Sequence, residues 1–271
     1  MPEGHVLHRL AARFNELFAD EQVQVSSPQG RFAESAALID GSTLMQARAW
    51  GKHLFVRFDA PIADPIVHIH LGLIGKLSFT ELAPPVGQVR VRINDDTWAA
   101  DLRGPQICRL ISEDEEAAAT KKLGADPLRS DSDPERAWTK VHRSGKPIAS
   151  LLMNQAIFAG VGNIYRAEVL FRHRIDPQCP GNKLHRESFD LMWNDLVQLM
   201  RLGVRDGRID TVYPEHTPEA MGRPPRVDAH GGEVYVYRRA DQPCLVCGSP
   251  IHETTLEGRH LFWCGRCQRR H

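Results

Sequence analysis

The first 112 residues alternate apolar and polar positions over short stretches. Residues 54–58, 67–71 and 89–93 each show this period of two, which is typical of strands with one buried face. They follow one stretch with helical spacing, whose apolar positions are Val6, Leu7, Leu10, Phe14, Leu17 and Phe18. This part of the pattern predicts a β-sandwich with one flanking helix.

In the second half of the chain the apolar spacing becomes helical. Residues 148–158 predict an apolar helix, and the turn at 159–162 separates it from a second helix that begins at Asn163. An asparagine in this place predicts a side-chain cap on the new helix. A third helix is predicted around residues 189–200, with Gly203 placed to end it. The fold class is therefore α+β.

These changes of pattern predict three domains, at residues 1–112, 120–235 and 236–271. The 271 residues are 25% charged and 42% hydrophobic, which is ordinary for a globular protein. The formal net charge of +0 does not indicate a nucleic-acid partner, although a local basic surface can exist within a neutral total. No apolar run approaches the ~18 residues of a membrane span, and the opening segment lacks the layout of a signal peptide. We therefore expect a cytoplasmic or nucleoid-associated protein without a membrane partner.

Four of the six cysteines form two C-x-x-C pairs, namely Cys244, Cys247, Cys264 and Cys267. In a reducing compartment this spacing predicts a closed structural site in which four thiolates hold one zinc ion. The residues between the pairs have two strand-like stretches that meet at Glu257-Gly258, so a zinc-bound β-hairpin is expected. Two disulfides or four unrelated thiols are the alternatives.

Three motifs occur together and in order along the chain. They are Met1-Pro2-Glu3-Gly4, the segment Ala159-Gly160-Val161-Gly162-Asn163-Ile164-Tyr165, and the four-cysteine hairpin. In this combination the chain resembles the formamidopyrimidine-DNA glycosylase and endonuclease VIII family over nearly its whole length. The resemblance implies a β-sandwich domain, a helix-two-turn-helix domain and a zinc finger. It also implies a monomer whose partner is damaged DNA.

The resemblance implies that the N-terminal nitrogen is the nucleophile. Pro2 becomes terminal once Met1 is removed, and a terminal amine titrates near about 7.7–8.0, where a usable fraction is unprotonated. Its attack on the deoxyribose C1′ gives a cationic iminium, which acidifies C2′ and permits elimination. By resemblance Glu3 protonates O4′ and then moves protons, and Lys52 contacts the phosphate beside the lesion and assists elimination. The alternative for Glu3 is an acid that only stabilises the start of a helix.

Four further residues are implied as DNA contacts. Leu73 would fill the space left by an extruded base, and Arg103 would face the base that has lost its partner. Asn163 and Arg259 would contact backbone phosphates. An exposed hairpin arginine is otherwise ordinary solvated surface, so these roles depend on the resemblance.

Gly104-Pro105 stands where the formamidopyrimidine branch has Arg-Phe after the arginine. Without that aromatic side chain, the sequence favours the endonuclease VIII branch and oxidised pyrimidines as substrates. The predicted function is a bifunctional DNA glycosylase and AP lyase of base excision repair that cuts the strand by β,δ-elimination. A formamidopyrimidine/8-oxoguanine-type purine glycosylase and a non-catalytic zinc-dependent DNA-binding protein are the alternatives. His68 and His70 alternate on one predicted strand but do not predict a metal site, because no carboxylate pattern accompanies them.

Overall fold

A computed structural model describes residues 2–228 and 232–269 of the chain. The chain divides into two compact units, Met1–Lys122 and Leu123–His271, each with its own hydrophobic core. The predicted α+β class is confirmed, and the division into three domains at the stated boundaries stays a prediction. Among the described residues, no helix is long and apolar enough to cross a membrane.

Unit 1 is a sandwich of two antiparallel sheets with helices at its edges. Its elements are α1 (Gly4–Phe18), β1 (Glu21–Gln22), β2 (Gln24–Ser26), α2 (Ala33–Ile39), β3 (Thr43–Trp50), β4 (His53–Asp59), β5 (Ile66–His70), β6 (Lys76–Glu81), β7 (Val89–Asn94), β8 (Trp98–Arg103), β9 (Ile107–Ile111) and α3 (Glu113–Lys121). One sheet has the strand order β1-β3-β4-β5-β9 and the other β2-β7-β8-β6.

The period of two found in the sequence fixes which side chains of each strand enter the core. In β4, Leu54, Val56 and Phe58 are buried between the sheets, while Phe55 packs on the opposite face with Ile66. Full burial of a side chain of this size stabilises the folded state by roughly 1.5–3 kcal/mol relative to leaving it exposed. The amphipathic face of α1 lies on the same core.

Unit 2 is built from helices and ends in a β-hairpin. Its elements are α4 (Pro134–His142), α5 (Ile148–Met153), α6 (Asn163–Arg172), α7 (Arg186–Asp206), α8 (Pro218–Met221), β10 (His252–Leu256) and β11 (Arg259–Trp263). Single 3-10 turns lie at Gly181–Lys183 and Pro214–His216. Side chains of α5, α6, α7 and the hairpin share one core.

Two helix ends differ from the sequence prediction. Helix α5 ends at Met153 and does not continue to 158, because the Asn154 side chain accepts a hydrogen bond from the Ala156 N–H (3.0 Å) and turns the backbone there. Helix α7 continues past Gly203 and ends at Asp206. The next residue, Gly207, caps it: it adopts φ +72° and donates its N–H to the Gly203 carbonyl. The helix ends where a glycine adopts the left-handed conformation, at Gly207, and not at Gly203, which stays helical.

Candidate active site and zinc centre

Three turns lie at one end of the sandwich, and we call them the rim: residues 51–52, 71–75 and 104–106. Strand pairing places them together, since His53 opposes His70 and His70 opposes Ile107 in one sheet, while Lys76 opposes Arg103 in the other. The rim therefore brings Lys52 and Leu73 together with Arg103, the last residue of β8 before the third turn. The sequence analysis expects all three to contact DNA.

Helix α1 brings the start of the chain to the same end. The Asn15 side chain hydrogen-bonds both the N–H and the carbonyl of Ala47 on β3, at 2.7 and 2.9 Å, and the Asp20 N–H donates to the Leu44 carbonyl, so the helix and the strand run in opposite directions. Glu3 precedes Asn15 by about 18 Å of helix, and Lys52 follows Ala47 by about 17 Å of strand. Glu3 and Lys52 consequently reach the same level of the sandwich.

Glu3 is buried, with 1% of its surface exposed. It occupies the N-cap position of α1, yet its side chain makes no capping hydrogen bond. A carboxylate placed only to stabilise the helix start would bond the free N–H groups of the first turn. Its burial without capping fits an acid–base role better. Pro2 is half-buried beside it, and Met1, whose removal the sequence predicts, lies outside the described residues.

Lys52 stands in a two-residue hairpin turn between β3 and β4. Gly51 supplies the φ of +58° that such a turn needs at its first central position. Burial lowers the pKa of His70, and the charge of Lys52 lowers it further, so the ammonium lies near this imidazole. His70 was not predicted as a site residue, although the sequence shows that it lies in the segment that carries Leu73.

A cluster of histidines extends from the rim along the outer face of the five-stranded sheet. His53 Nδ1 lies 2.9 Å from His68 Nε2, and the ring of His68 stacks on Phe55 with 4.8 Å between centroids. Burial lowers the pKa of His53 to about 4 and that of His68 to about 3, with neighbouring charges adding to both shifts. Both rings are therefore neutral at pH 7. Among the described residues, the four cysteines form a cluster that could hold a metal ion, and these histidines do not.

The histidine pair predicts a loss of stability in acid. The native pKa of His68 is below its unfolded value of 6.5, so below about pH 6.5 the unfolded chain binds protons that the native chain does not, and stability falls as the pH falls towards 4. We expect His68→Phe, which can stack on Phe55, to reduce this dependence by on the order of 1–3 kcal/mol between pH 7 and 4.5. Denaturant unfolding of wild type and variant at both pH values measures the difference. An equal loss of unfolding free energy between the two pH values in wild type and variant would contradict this prediction.

The turn at 71–75 presents two large apolar side chains to solvent. Leu73 is 72% exposed and Ile74 86% exposed. Gly75 closes the turn so tightly that a Cβ there would lie 2.2 Å from the Leu71 carbonyl oxygen. Adjacent exposed apolar residues at the tip of a tight turn indicate a contact surface, and Ile74 extends the surface that the sequence assigned to Leu73 alone.

Arg103 is already bonded within unit 1. Its guanidinium donates to Asp101 Oδ2 (2.9 Å) and to the Val86 carbonyl (3.0 Å). Asp101 also receives two hydrogen bonds from Arg92; these arginines outweigh the effect of burial and lower the pKa of Asp101. Arg103 is thus held by an ionised carboxylate at the rim, and its role toward an opposite base stays a prediction.

In unit 2, two successive turns join α5 to α6. The Gln155 side chain holds them, donating to the Val161 carbonyl and accepting from the Gly160 N–H, each at 2.9 Å. Gly160 adopts φ +87°, which explains a glycine at this position. The arrangement is a helix-two-turn-helix.

The predicted side-chain cap of α6 by Asn163 is wrong. It is the first helical residue, and its side-chain amide donates to the carbonyl of His260 on β11 at 2.9 Å. The buried Arg166 donates to the same carbonyl at 2.8 Å and to Asn163 Oδ1. Asn163 therefore joins the second turn to the hairpin, next to Arg259.

Glu168 fixes the backbone of residues 235–237. Its carboxylate is fully buried and accepts hydrogen bonds from the N–H groups of Tyr235, Val236 and Tyr237 and from the Thr211 hydroxyl, all between 2.6 and 2.9 Å. Four donors satisfy one buried charge. Glu168 was not predicted from the sequence, because three of its four hydrogen-bond donors are backbone groups 67 to 69 residues along the chain.

The four predicted cysteines converge on one point. Their Sγ atoms lie within 4.8 Å of one another, with 3.8 Å between Cys244 and Cys267 and 3.5 Å between Cys247 and Cys264. Tetrahedral zinc with Zn–S bonds of about 2.3 Å separates its ligands by about 3.8 Å, whereas a disulfide is about 2.05 Å long. The donor set fits a zinc ion and not two disulfides.

The hairpin between the cysteine pairs has the predicted turn. Glu257 and Gly258 adopt φ of +49° and +74°, as in a type I′ turn. Arg259 follows it, exposed and with no ion-pair partner among the residues that the structure describes.

Comparison with known proteins identifies the family of these units. Residues 1–107 match the formamidopyrimidine-DNA glycosylase N-terminal domain, residues 123–213 match its H2TH domain, and residues 241–270 match the zinc finger found in FPG and IleRS. The chain belongs to the formamidopyrimidine-DNA glycosylase and endonuclease VIII family. The finger match and the cysteine geometry together establish one structural zinc ion.

Relatives come from both branches. The chain is 50% identical to Endonuclease 8 1 of Mycobacterium tuberculosis over 99% of this chain and 100% of the relative. It is 31% identical to the formamidopyrimidine-DNA glycosylase of Prochlorococcus marinus over 90% of this chain and 89% of the relative. A Lactococcus lactis Fpg in complex with abasic-site DNA has the same fold, with a TM-score of 0.79, 22% identity, and coverage of 99% and 100%.

Proposed function

We propose that this protein is a bifunctional DNA glycosylase and AP lyase of base excision repair that removes oxidised bases, chiefly pyrimidines. The observation that carries the proposal is the meeting of the chain start, with its buried Glu3, and the Lys52 turn at one end of the sandwich. The 50% identity to an endonuclease 8 over nearly the full length of both chains supports the same activity. The enzyme acts as a monomer on damaged DNA in the cytoplasm.

Pro2 is the nucleophile of the proposed reaction. Its nitrogen forms a bond to C1′ as the base leaves, and Glu3 gives a proton to O4′ so that the sugar ring opens. The resulting iminium withdraws electrons from C2′, whose proton is then removed as the 3′ phosphate leaves; a second elimination releases the 5′ phosphate. Lys52 supplies positive charge beside the phosphate.

The DNA contacts come from the rim and from unit 2. Leu73 occupies the space of the extruded base. Its side chain is mostly exposed, so it gives up few apolar contacts within the protein when it enters the DNA. Arg103 faces the opposite base. Asn163 lies at the N-terminus of α6, where helix N–H groups favour a phosphate, and Arg259 adds a charge at the hairpin.

Borohydride trapping on an abasic oligonucleotide tests the proposal. The reagent reduces the iminium, so wild-type protein without Met1 should become covalently bound to DNA, and Pro2→Gly should trap more weakly. A non-catalytic DNA-binding protein would give no adduct. Full activity in protein that retains Met1 by intact mass would contradict the role of Pro2.

Arg259 predicts a measurable salt dependence. Each phosphate that a protein neutralises on duplex DNA adds about −0.9 to the slope of log K against log salt, so Arg259→Ala should make the slope shallower by about one unit. Arg208→Ala is the control, because Arg208 is bonded to Asp210 at 2.6 Å and has no predicted contact with DNA. An unchanged slope for Arg259→Ala would show that Arg259 is an ordinary solvated side chain and does not contact a phosphate.

Lesion choice gives a further prediction. Gly104-Pro105 offers no aromatic ring beside Leu73 and Arg103, so dihydrouracil or thymine glycol in a duplex should be excised faster than 8-oxoguanine opposite cytosine. Leu73→Ala should lower excision from duplex much more than from single-stranded DNA, where no stack must be refilled. Single-turnover rates at one salt concentration measure both effects, with the exposed Leu38→Ala as control. Faster excision of 8-oxoguanine would favour the formamidopyrimidine branch.

A further inference from the structure

Residues 82–88, which we call the crossing segment, join β6 to β7 and pass over β8 on the way. In the four-stranded sheet β8 lies between these two strands, so a connection from one to the other has to cross it. The crossing segment begins at the end of the sandwich opposite the rim, where the Leu82 N–H donates to the Thr97 carbonyl at 2.7 Å. It enters β7 at Val89, which opposes Arg103. The crossing segment therefore ends at the rim.

Two arginines hold the crossing segment against the face of the sheet that points away from the core. Arg92 Nη1 donates to the Ala83 carbonyl at 2.6 Å. Arg103 donates to the Val86 carbonyl twice, through Nε at 3.2 Å and through Nη2 at 3.0 Å. Both guanidinium groups also bind the buried Asp101. The backbone of Val86 is thus fixed next to the arginine that is expected to face an unpaired base.

Val86 is presented to solvent at the rim end of the crossing segment, with 77% of its surface exposed. Pro84 and Pro85 restrict the backbone before it, and Gly87 turns the chain towards β7 with a φ of +75°. A restricted backbone loses less entropy when its side chains become ordered against a partner. Val86 is therefore already placed for a contact.

Exposed apolar side chains flank Arg103 on both sides. The turn at 71–75 leads into β6 on one side of β8, and a Cβ built on Gly104 lies 3.9 Å from the Ile74 side chain. The crossing segment leads into β7 on the other side. The three most exposed large apolar side chains in the described part of unit 1 all lie here, namely Leu73, Ile74 and Val86. A single exposed apolar residue is ordinary, but such a concentration around one arginine indicates an interaction surface.

The charge around this surface fits DNA. The segments that meet here are residues 51–52, 71–76, 86–90 and 103–106. They contain no acidic residue, and their basic residues are Lys52, Lys76, Arg90 and Arg103. A local excess of positive charge attracts the phosphate backbone, even in a chain whose total charge is neutral.

We propose that Val86 contacts the undamaged strand of the duplex, next to the base that has lost its partner. The proposal rests on the proposed function, in which Leu73 replaces the extruded base and Arg103 faces the base opposite. Across the sheet, Val86 lies on the side of Arg103 away from the turn that carries Leu73. A duplex that receives both of these side chains therefore brings its undamaged strand to Val86. The valine packs on a sugar and base of that strand, and this apolar contact adds to duplex binding.

A binding measurement tests the contact. Val86→Ser removes the two methyl groups of an exposed side chain, so the fold should stay intact. Its affinity for a duplex with a tetrahydrofuran abasic analogue, which cannot form the iminium, should fall about tenfold, the effect of losing the burial of an apolar side chain of this size. Its affinity for the single strand with the same analogue should stay within about twofold of the wild type, because the undamaged strand is missing.

Leu82→Ala is the matched control, since Leu82 is 44% exposed and lies on the same segment at the end opposite the rim. This variant should bind both DNA forms as the wild type does. Wild-type duplex affinity in Val86→Ser, or equal losses on both DNA forms, would overturn the proposal.

Photocrosslinking identifies the strand that is contacted. With p-benzoylphenylalanine in place of Val86, irradiation of the complex should give an adduct with the undamaged strand, and the same group in place of Leu82 should give none. An adduct with the damaged strand alone, or with neither strand, would overturn the proposal. Neither measurement requires bond breaking by the enzyme. Absence of borohydride trapping by the wild type would therefore contradict the proposed function, while the adduct would still decide on the contact.

Discussion

Glu3→Gln is expected to lower the single-turnover rate of base excision by about 10²–10⁴-fold, the usual contribution of a positioned general acid–base group. Glutamine has nearly the same size and can occupy the buried position of Glu3, but it cannot give a proton to O4′. Binding of duplex DNA should change much less, because the substitution alters the proposed proton donor and not the proposed phosphate contacts. Rapid-quench kinetics with the oxidised base in the duplex measure the rate.

Glu16→Gln provides the matched control for this result. Glu16 lies on the same helix, is exposed and pairs with Arg13 at 2.7 Å, so its replacement also removes one negative charge from α1. It should leave the excision rate unchanged. If both variants excise at the wild-type rate, Glu3 only stabilises the start of α1, and the proton donor must be another group.

Cys247→Ser should cause the second large effect, a loss of bound zinc together with at least a tenfold loss of duplex affinity. Structural zinc contributes roughly 10–16 kcal/mol of apparent binding free energy in small finger peptides, and one lost thiolate opens the closed site. Without the metal, the hairpin loses the link between its two cysteine pairs. The His260 carbonyl that binds Asn163, and Arg259 at the start of β11, are then held less firmly. Metal analysis and binding at fixed salt give the two readouts.

Cys179→Ser is the control for the finger, because Cys179 is half-buried and outside the four-cysteine cluster. It should keep one zinc per chain and wild-type affinity. A purified wild type that holds no zinc and unfolds when a reductant is added would show instead that disulfides hold the hairpin.

Local patterns in the sequence predicted about half of the helices and strands. The period of two predicted β4, β5 and β7 of the sandwich, the C-x-x-C spacing predicted the finger, and the Gly-rich segment predicted the start of α6 at Asn163. Each of these signals comes from residues close together in the chain. The end of α5 was wrong because the Asn154 side chain competes for the backbone, which an apolar periodicity does not register.

The parts of the site that escaped prediction depend on partners distant in sequence. The bond from Asn163 to His260 spans 97 residues, and Glu168 binds N–H groups 67 to 69 residues away. Arg103 is bonded to Asp101, two residues away, but it also donates to the Val86 carbonyl, 17 residues away. The two bonds together require the alternation of side chains along β8 and the position of the segment that carries Val86. Residue types alone do not encode such pairings.

The sandwich also has an end opposite the rim, where the turns at 60–65 and 95–97 connect its strands. Those turns are largely exposed and carry none of the proposed chemistry, so changes of length are tolerated there better than at the rim. A fluorescent label or affinity peptide placed between Ala63 and Asp64 would leave the first residues of the chain in their native form. Because the proposed nucleophile is the terminal nitrogen, an internal insertion is a safer place for a tag than the N-terminus.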